Sequence, residues 1–248
     1  MDRSLYIAMN GAKQTQLAQA ANANNLGHAQ SAGFRADFQQ FRAMPEFGPG
    51  YPSRVYSMTE RPGSDFTPGT IQTTGRDLDA ALMDSDGWFA IVGEDGKEAY
   101  SKAGNLTVTL EGNFKTGDGS LLLNDAGAPI AIPPAKKIDI GRDGTISVIP
   151  EGADSNTLVA IDRIKLVKSG GADLYKGGDG LMYTRNGELL PANGDMRLQT
   201  GAVENSNVNI VVEMVKMLEL GRHFELENKV MKTVDNNSAM SAKLMQMA

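Results

Sequence analysis

The chain has 248 residues, a mass of 26.5 kDa and a formal charge of −6, with 22% charged and 41% hydrophobic residues. That size buries a sizeable core, and the balance fits neither a disordered chain nor a membrane span of ~20 apolar residues. Zero cysteines and two histidines exclude disulfides, thiolate chemistry, cysteine zinc sites and any multi-histidine metal centre.

Glycine and proline divide what remains. All ten prolines lie between Pro45 and Pro191, and 23 of the 28 glycines lie between Gly48 and Gly194. Both residues break regular structure, so the pattern predicts helix, a turn-rich middle, and helix again. The charge follows the same division: residues 1–47 and 203–248 are nearly neutral, and the middle supplies the acidity. No basic patch of the kind a nucleic acid needs is present.

The first element is a helix from Ser4 to about Asn25, with Leu5, Ala8, Met9, Ala12 and Ala20 near one face and Leu17 at its edge. The stripe is mostly alanine, so this helix is marginal alone. The opening Met1-Asp2-Arg3-Ser4-Leu5-Tyr6-Ile7 lacks the long apolar stretch of a cleavable signal peptide. The composition then sets a Pro/Gly-rich extended connector at 45–69 between an N-terminal helical segment, 1–44, and a mainly β domain, 70–200.

In that domain, Trp88–Val92 is followed by Asp95-Gly96 and Leu106–Leu110 by Glu111-Gly112. Asp118-Gly119 precedes Leu121–Leu123, Arg142-Asp143-Gly144 separates Ile138–Ile140 from Thr145–Ile149, and Ile161–Val167 alternates imperfectly. Asp-Gly between apolar runs is a strong hairpin signal, and many short strands so spaced predict a sandwich or irregular barrel. One internal echo occurs: Tyr100-Ser101-Lys102-Ala103-Gly104-Asn105-Leu106 matches Tyr183-Thr184-Arg185-Asn186-Gly187-Glu188-Leu189, which reads as one strand–turn piece used twice.

The last segment, 201–248, carries the stronger helix. Ile210, Met217, Phe224 and Met231 recur every seven residues, with Val211, Met214, Val215 and Leu218 between them. Heptad spacing keeps one seam toward a partner helix. Asn205 or Ser206 is the expected cap, and Gly221, Asn228 and Asn236-Asn237 weaken the helix, predicting fraying or a break near 235. The fold class is therefore α+β, with the terminal helices pairing as a coiled-coil-like stalk around a mainly antiparallel β middle domain.

Catalytic signatures are weak throughout. No phosphate loop is present, Gly117-Asp118-Gly119 opens a dinucleotide-like motif that fails at Leu122, and Asp84-Ser85-Asp86-Gly87 is half a calcium loop without later ligands. A serine triad would have to use His28 or His223, both in helical regions, and Trp88 reads as a core anchor. Catalytic residues, cofactors and metals are all expected to be none. Acidic pairs alone leave open a secreted β-domain enzyme acting on cell-wall glycan.

Ala23-Asn24-Asn25-Leu26-Gly27-His28-Ala29-Gln30-Ser31-Ala32-Gly33-Phe34-Arg35 resembles the Ala-Asn-Asn-Leu-Ala-Asn-x-x-Thr-x-Gly-[Phe/Tyr]-[Lys/Arg] signature of bacterial flagellar rod and hook proteins. Asn205-Ser206-Asn207-Val208-Asn209, with Glu213-Met214-Val215 after it, is similar to the matching C-terminal signature. Thr74–Leu82, Gly87-Trp88-Phe89 and Tyr100–Gly104 resemble the family's core segment, so the likeness spans the chain. The Met1–Ala12 and Glu219–Glu225 stretches most resemble the proximal-rod members, with distal-rod or hook-type axial members the nearest alternative. Gly27-His28 and Gly221 depart from the family pattern.

The resemblance implies a structural subunit of the flagellar basal-body rod, part of the drive shaft for motility. It implies polymerisation through the terminal helices with further copies and other rod proteins, and passage through the flagellar type III export apparatus without a cleaved signal peptide. The implied location is the basal body, in the rod crossing the periplasm. No nucleic acid or small-molecule substrate is implied. Carried by motif, the assembly determinants are Asn24, Asn25, Leu26, Gly33, Phe34, Asn207, Val208 and Asn209. The helical stripes add Leu5, Met9, Ala12, Ile210, Met214, Met217, Phe224 and Met231.

Overall fold

A computed structural model describes residues 2–48, 54–59, 63–150 and 157–247. It divides into two compact units that the chain enters and leaves repeatedly. One comprises 1–28, 37–63 and 208–248, and the other 29–36 and 64–207.

The helical unit contains α1, Asp2–Gly27, and α2, Ile210–Gln246. The first matches the Ala/Gln-rich, proline-free reading and ends where Gly27 lowers helix propensity. The cap of α2 differs from expectation. Asn209, not Asn205 or Ser206, has the extended backbone of an N-cap, and its side chain accepts from the amides of Val211 and Val212. Asn205 is instead tied to Thr70 and Gln72.

No break occurs near 235, because α2 runs unbroken to Gln246. An interior asparagine costs only tenths of a kcal/mol relative to neighbours such as Lys or Met, roughly 0.3–0.5. Here the Ser241 hydroxyl folds back onto the Asn237 carbonyl at 2.9 Å, and Lys243 sits in the last turn where the helix dipole favours a cation. Within 45–69, Val55–Thr59 is a strand that pairs antiparallel with Phe41–Pro45, and residues 49–53 and 60–62 lie outside the described set.

The β unit is mainly antiparallel. Its largest sheet has five strands in the order Leu166–Lys168, Gly87–Val92, Glu98–Ser101, Met182–Thr184, Leu174–Lys176. A second sheet runs Ala135–Ile140, Thr145–Pro150, Val159–Arg163. The sheets are open, so no closed barrel forms among the described residues. The Gly87–Val92 strand explains how one unit holds two apolar clusters. Phe89 and Ile91 face a cluster with Leu106, Phe114, Leu122 and Ile146, while Trp88 and Ala90 face one with Tyr100, Val167 and Leu174. A strand covered on both faces reads as a continuous apolar run, which Trp88–Val92 is. Trp88 is buried as a core anchor, its indole N–H donating to the Ser169 carbonyl.

The glycines at the expected hairpin turns, Gly96, Gly112, Gly119 and Gly144, have φ of 72°, 83°, 90° and 86°. Two β readings need correction. Ile161–Val167 is split, because Ile164 and Lys165 both turn inward: Ile164 joins the larger core and Lys165 pairs with Glu98. Leu121–Leu123 makes only single-residue bridges, to Lys115, Ile91 and Pro129. The echo also diverges. Tyr100 and Tyr183 lie in neighbouring strands, but Gly187 is a positive-φ turn residue, whereas Gly104 lies where a Cβ would meet the Ala80 carbonyl at 1.7 Å.

Candidate assembly interface

In the helical unit, α1 and α2 run antiparallel, as their polar ties show. The Thr15 hydroxyl donates to Glu227 midway along both helices, and Asn22 donates to Glu213 near the end of α1 and the start of α2. Gly11 lies over the same Glu227 carboxylate, 2.7 Å from where a Cβ would be. Glu213 is the hub. One oxygen accepts from Asn22 at 2.5 Å and Asn25 at 3.5 Å, and the other pairs with Lys216 at 2.5 Å. The Asn25 amide also donates to the Asp37 carbonyl and accepts from the Asp37 N–H, so it fixes the chain's return beside α1. Asn24 donates to the Asp37 carboxylate at 3.0 Å.

Among the described residues, the buried positions of this unit are Ala12, Thr15, Asn22, Asn25 and Glu213, four of the five polar. Its apolar side chains are covered only in part. Met217, Leu220, Phe224, Met231 and Val234 are half-buried, and with half-buried Glu227 they form a stripe at alternating three- and four-residue spacing. Leu26 and Val208 are half-buried as well. Leu5, Met9, Ile210 and Met214 are exposed, and Val211 and Leu218 are 71% and 66% exposed. The heptad series thus separates: Met217, Phe224 and Met231 lie on the covered stripe, while Ile210 and Met214 lie with Val211, Val215 and Leu218 on an open apolar one.

In the β unit, Gly33 meets a second polar hub, Glu204, while Phe34 and Asn207 make separate contacts of their own. The Gly33 N–H donates to the Glu204 carbonyl at 2.7 Å, and the Glu204 carboxylate accepts from Arg35 at 2.7 Å and from the Gly69 N–H at 2.8 Å. Lys102 lies 3.6 Å from the other carboxylate oxygen. Gly33 has φ of 70°, and a Cβ there would stand 2.2 Å from the Lys102 carbonyl carbon, so only glycine fits both demands. Asn207 accepts from the Ala36 N–H and donates to the carbonyls of Asp65 and Thr67. The Lys176 ammonium stands 3.8 Å over the Phe34 ring and donates to the Arg35 carbonyl. Burial, only partly offset by Glu204, holds Lys102 below the ordinary lysine pKa.

Asn22, Glu213 and Glu227 were absent from the sequence-based set, as were Arg35, Lys102 and Glu204. The signal for three of them adjoins the motifs: Arg35 closes the Gly-Phe-Arg stretch, Glu204 precedes Asn205-Ser206-Asn207, and Lys102 lies inside Tyr100–Gly104.

A cleft of about 750 Å³ on the β unit is lined by Tyr100, Tyr175, Tyr183 and Glu98. Glu98 is paired there with Lys165 at 2.7 and 2.8 Å. Burial pushes the Tyr100 phenol up to about 12, and burial together with the Asp179 hydrogen bond raises Tyr183 further. His28 and His223 are exposed in the helical unit. Among the described residues no cluster of His, Asp or Glu is placed to hold a metal ion, and no helix is long and apolar enough to cross a membrane.

Two family models match the chain. Residues 199–244 match the flagellar basal body rod FlgEFG protein C-terminal model, and residues 82–148 match the flagellar hook protein FlgE/F/G D1 domain. Over their full lengths, the chain is 38% identical to the flagellar basal-body rod protein FlgF of Escherichia coli K12 and 37% identical to that of Salmonella typhimurium LT2. It is 31% identical to the flagellar basal-body rod protein FlgG of Bacillus subtilis 168, with 95% of this chain and 96% of that one covered. With its end signatures folded into two polar hubs and its whole length aligned, the chain belongs to the flagellar basal-body rod protein family.

Proposed function

We propose that the chain is a structural subunit of the basal-body rod, most like its proximal-rod members, and that it polymerises through α1 and α2. The observation that carries the polymerisation is the open apolar stripe of Val211, Met214, Val215 and Leu218 on a helix whose other side already meets α1. A solvated helix has no use for two apolar faces, and a helix between neighbours does. The occupants are the helices of further copies and of other rod proteins, packed as in a coiled coil. Asn24, Asn25, Gly33, Phe34, Asn207 and Asn209 act by shaping the single chain, whereas Leu5, Met9, Ile210 and Met214 supply contact surface. The family offers no support for an enzyme acting on cell-wall glycan.

Export through the flagellar apparatus and residence in the periplasmic stretch of the rod belong to the same reading. The helical unit suits them physically: its sparse core yields easily to threading, and neighbours restore the burial afterwards. The test is complementation of a strain lacking the chain. Wild-type protein should restore motility and appear in purified basal bodies, while Val215→Asp and Leu218→Asp variants should be made and exported but excluded from the rod. Normal incorporation of both variants would sink the polymerisation surface.

A further inference from the structure

We propose that residues 29–36 form a strap that docks onto an already folded β unit, with Lys102 serving as the partner of the Glu204 carboxylate before Arg35 arrives. The strap belongs to the β unit by its contacts but contributes nothing to either of its apolar clusters, so the core closes without it. It has no regular secondary structure and is held at its polar points: the Gly33 N–H on the Glu204 carbonyl, the Ala36 N–H on Asn207, and Arg35 on the Glu204 carboxylate.

The charge count at Glu204 is what requires two states. Arg35, Lys102 and Glu204 have side-chain exposures of 0%, 1% and 4%, two cations against one carboxylate. A single closed arrangement needs one cation there, and a second buried charge is costly. The two oxygens are divided between them. Arg35, on the strap, takes one at 2.7 Å, and Lys102, in the core segment, faces the other at 3.6 Å while donating to the Ser85 carbonyl at 2.5 Å. With the strap withdrawn, Lys102 leaves Glu204 neutralised. With the strap seated, two further guanidinium nitrogens of Arg35 are buried without a hydrogen-bond partner among the described residues, so the closed state is poised and not deep. Both cations lie near the Trp88 ring, at 5.9 and 5.2 Å from its centroid, which ties the strap's seat to the smaller core.

Hydrogen exchange on the full-length chain tests this. In Arg35→Met the Gly33 and Ala36 amides should exchange roughly tenfold to a hundredfold faster, the effect of losing one charge-assisted bond. The Ala90 and Leu122 amides in the core should stay within about twofold of wild type. Core amides that accelerate in step with the strap would overturn the proposal. Lys102→Met alone should keep the strap protected, and Arg35→Met with Lys102→Met should expose the core or prevent folding by stranding Glu204. Adding Glu204→Gln to that pair should restore core protection, since no buried charge remains. A double variant with a core as protected as Arg35→Met, or a triple variant no better than the double, overturns the role of Lys102.

Discussion

The two units of this chain solve burial in opposite ways. In the β unit, Phe89, Leu106, Phe114, Leu122 and Ile146 are sealed from solvent, and one strand feeds a cluster on each face. In the helical unit, the buried positions among the described residues are mostly polar, and apart from Ala12 the apolar side chains are open or half-open. Hydrophobic burial stabilises a domain by itself, while polar ties such as Asn22–Glu213 mainly set which helix face meets which. One unit is complete as a single chain. The other has fixed geometry and unfinished burial, which is what a polymerising surface requires.

The sharpest way to break that contrast is to cut into each unit equally. Phe114→Ala in the sealed core should cost about 3–5 kcal/mol, measured by urea unfolding of the β unit. Phe224→Ala on the half-covered stripe of α2 should cost the isolated chain well under that, because less of its ring leaves water there. Equal losses at the two sites would mean that the helical unit has a core of its own. Next in size comes the helical hub: Glu213→Ala removes the charged acceptor of Asn22, which keeps only the residue-213 backbone carbonyl, and should cost roughly 1–3 kcal/mol, read from the loss of helical signal at low denaturant. Glu213→Gln, which keeps an acceptor, should recover part of it.

The same contrast explains what could be read from sequence. Helices, hairpin turns and the end signatures were legible because they are local: proline-free stretches, Asp-Gly pairs, heptads. The cap was misplaced because Asn205, Ser206 and Asn209 are equally good caps by composition. Only the ties of Asn205 to Thr70 and Gln72, from strand and loop residues over 130 positions away, decide among them. The hubs were missed for a related reason. Glu204 and Lys102 meet across 102 residues of chain, and no spacing rule links them. A charged residue inside a motif reads as solvated surface until the fold buries it.

Two smaller effects sharpen this. Asn209→Ala should cost about 1 kcal/mol of α2 stability by circular dichroism, and Asn205→Ala should leave the helix unchanged. Lys102 gives a pH signature for the β unit. Its folded pKa lies below the ordinary lysine value through burial, with Glu204 opposing the shift and Arg35 and Asp86 as the other charged neighbours. Between the lowered value and about 10.4 the unfolded chain therefore binds more protons than the folded one, so stability should rise with pH there. Tyr100, raised to about 12, works in the opposite sense only above its unfolded range near ~10, which bounds the useful window. The midpoint of thermal unfolding should climb as pH rises toward about 10.4 in wild type and lose that slope in Lys102→Met.

The smallest effect on the single chain is the most telling. Leu218 is exposed, and Leu218→Asp removes no buried contact, so unfolding of the isolated chain should shift by no more than ~0.5 kcal/mol. On the proposed polymerisation through α2, the same aspartate would have to be desolvated against a neighbour's apolar stripe, at a cost of several kcal/mol per subunit contact. A helical polymer repeats that penalty at every subunit, so incorporation should collapse although the monomer is intact. Sedimentation of purified protein beside basal-body composition separates the two outcomes. A variant that unfolds would place Leu218 in a hidden core, and one that assembles normally would leave the open stripe facing solvent in the rod as well.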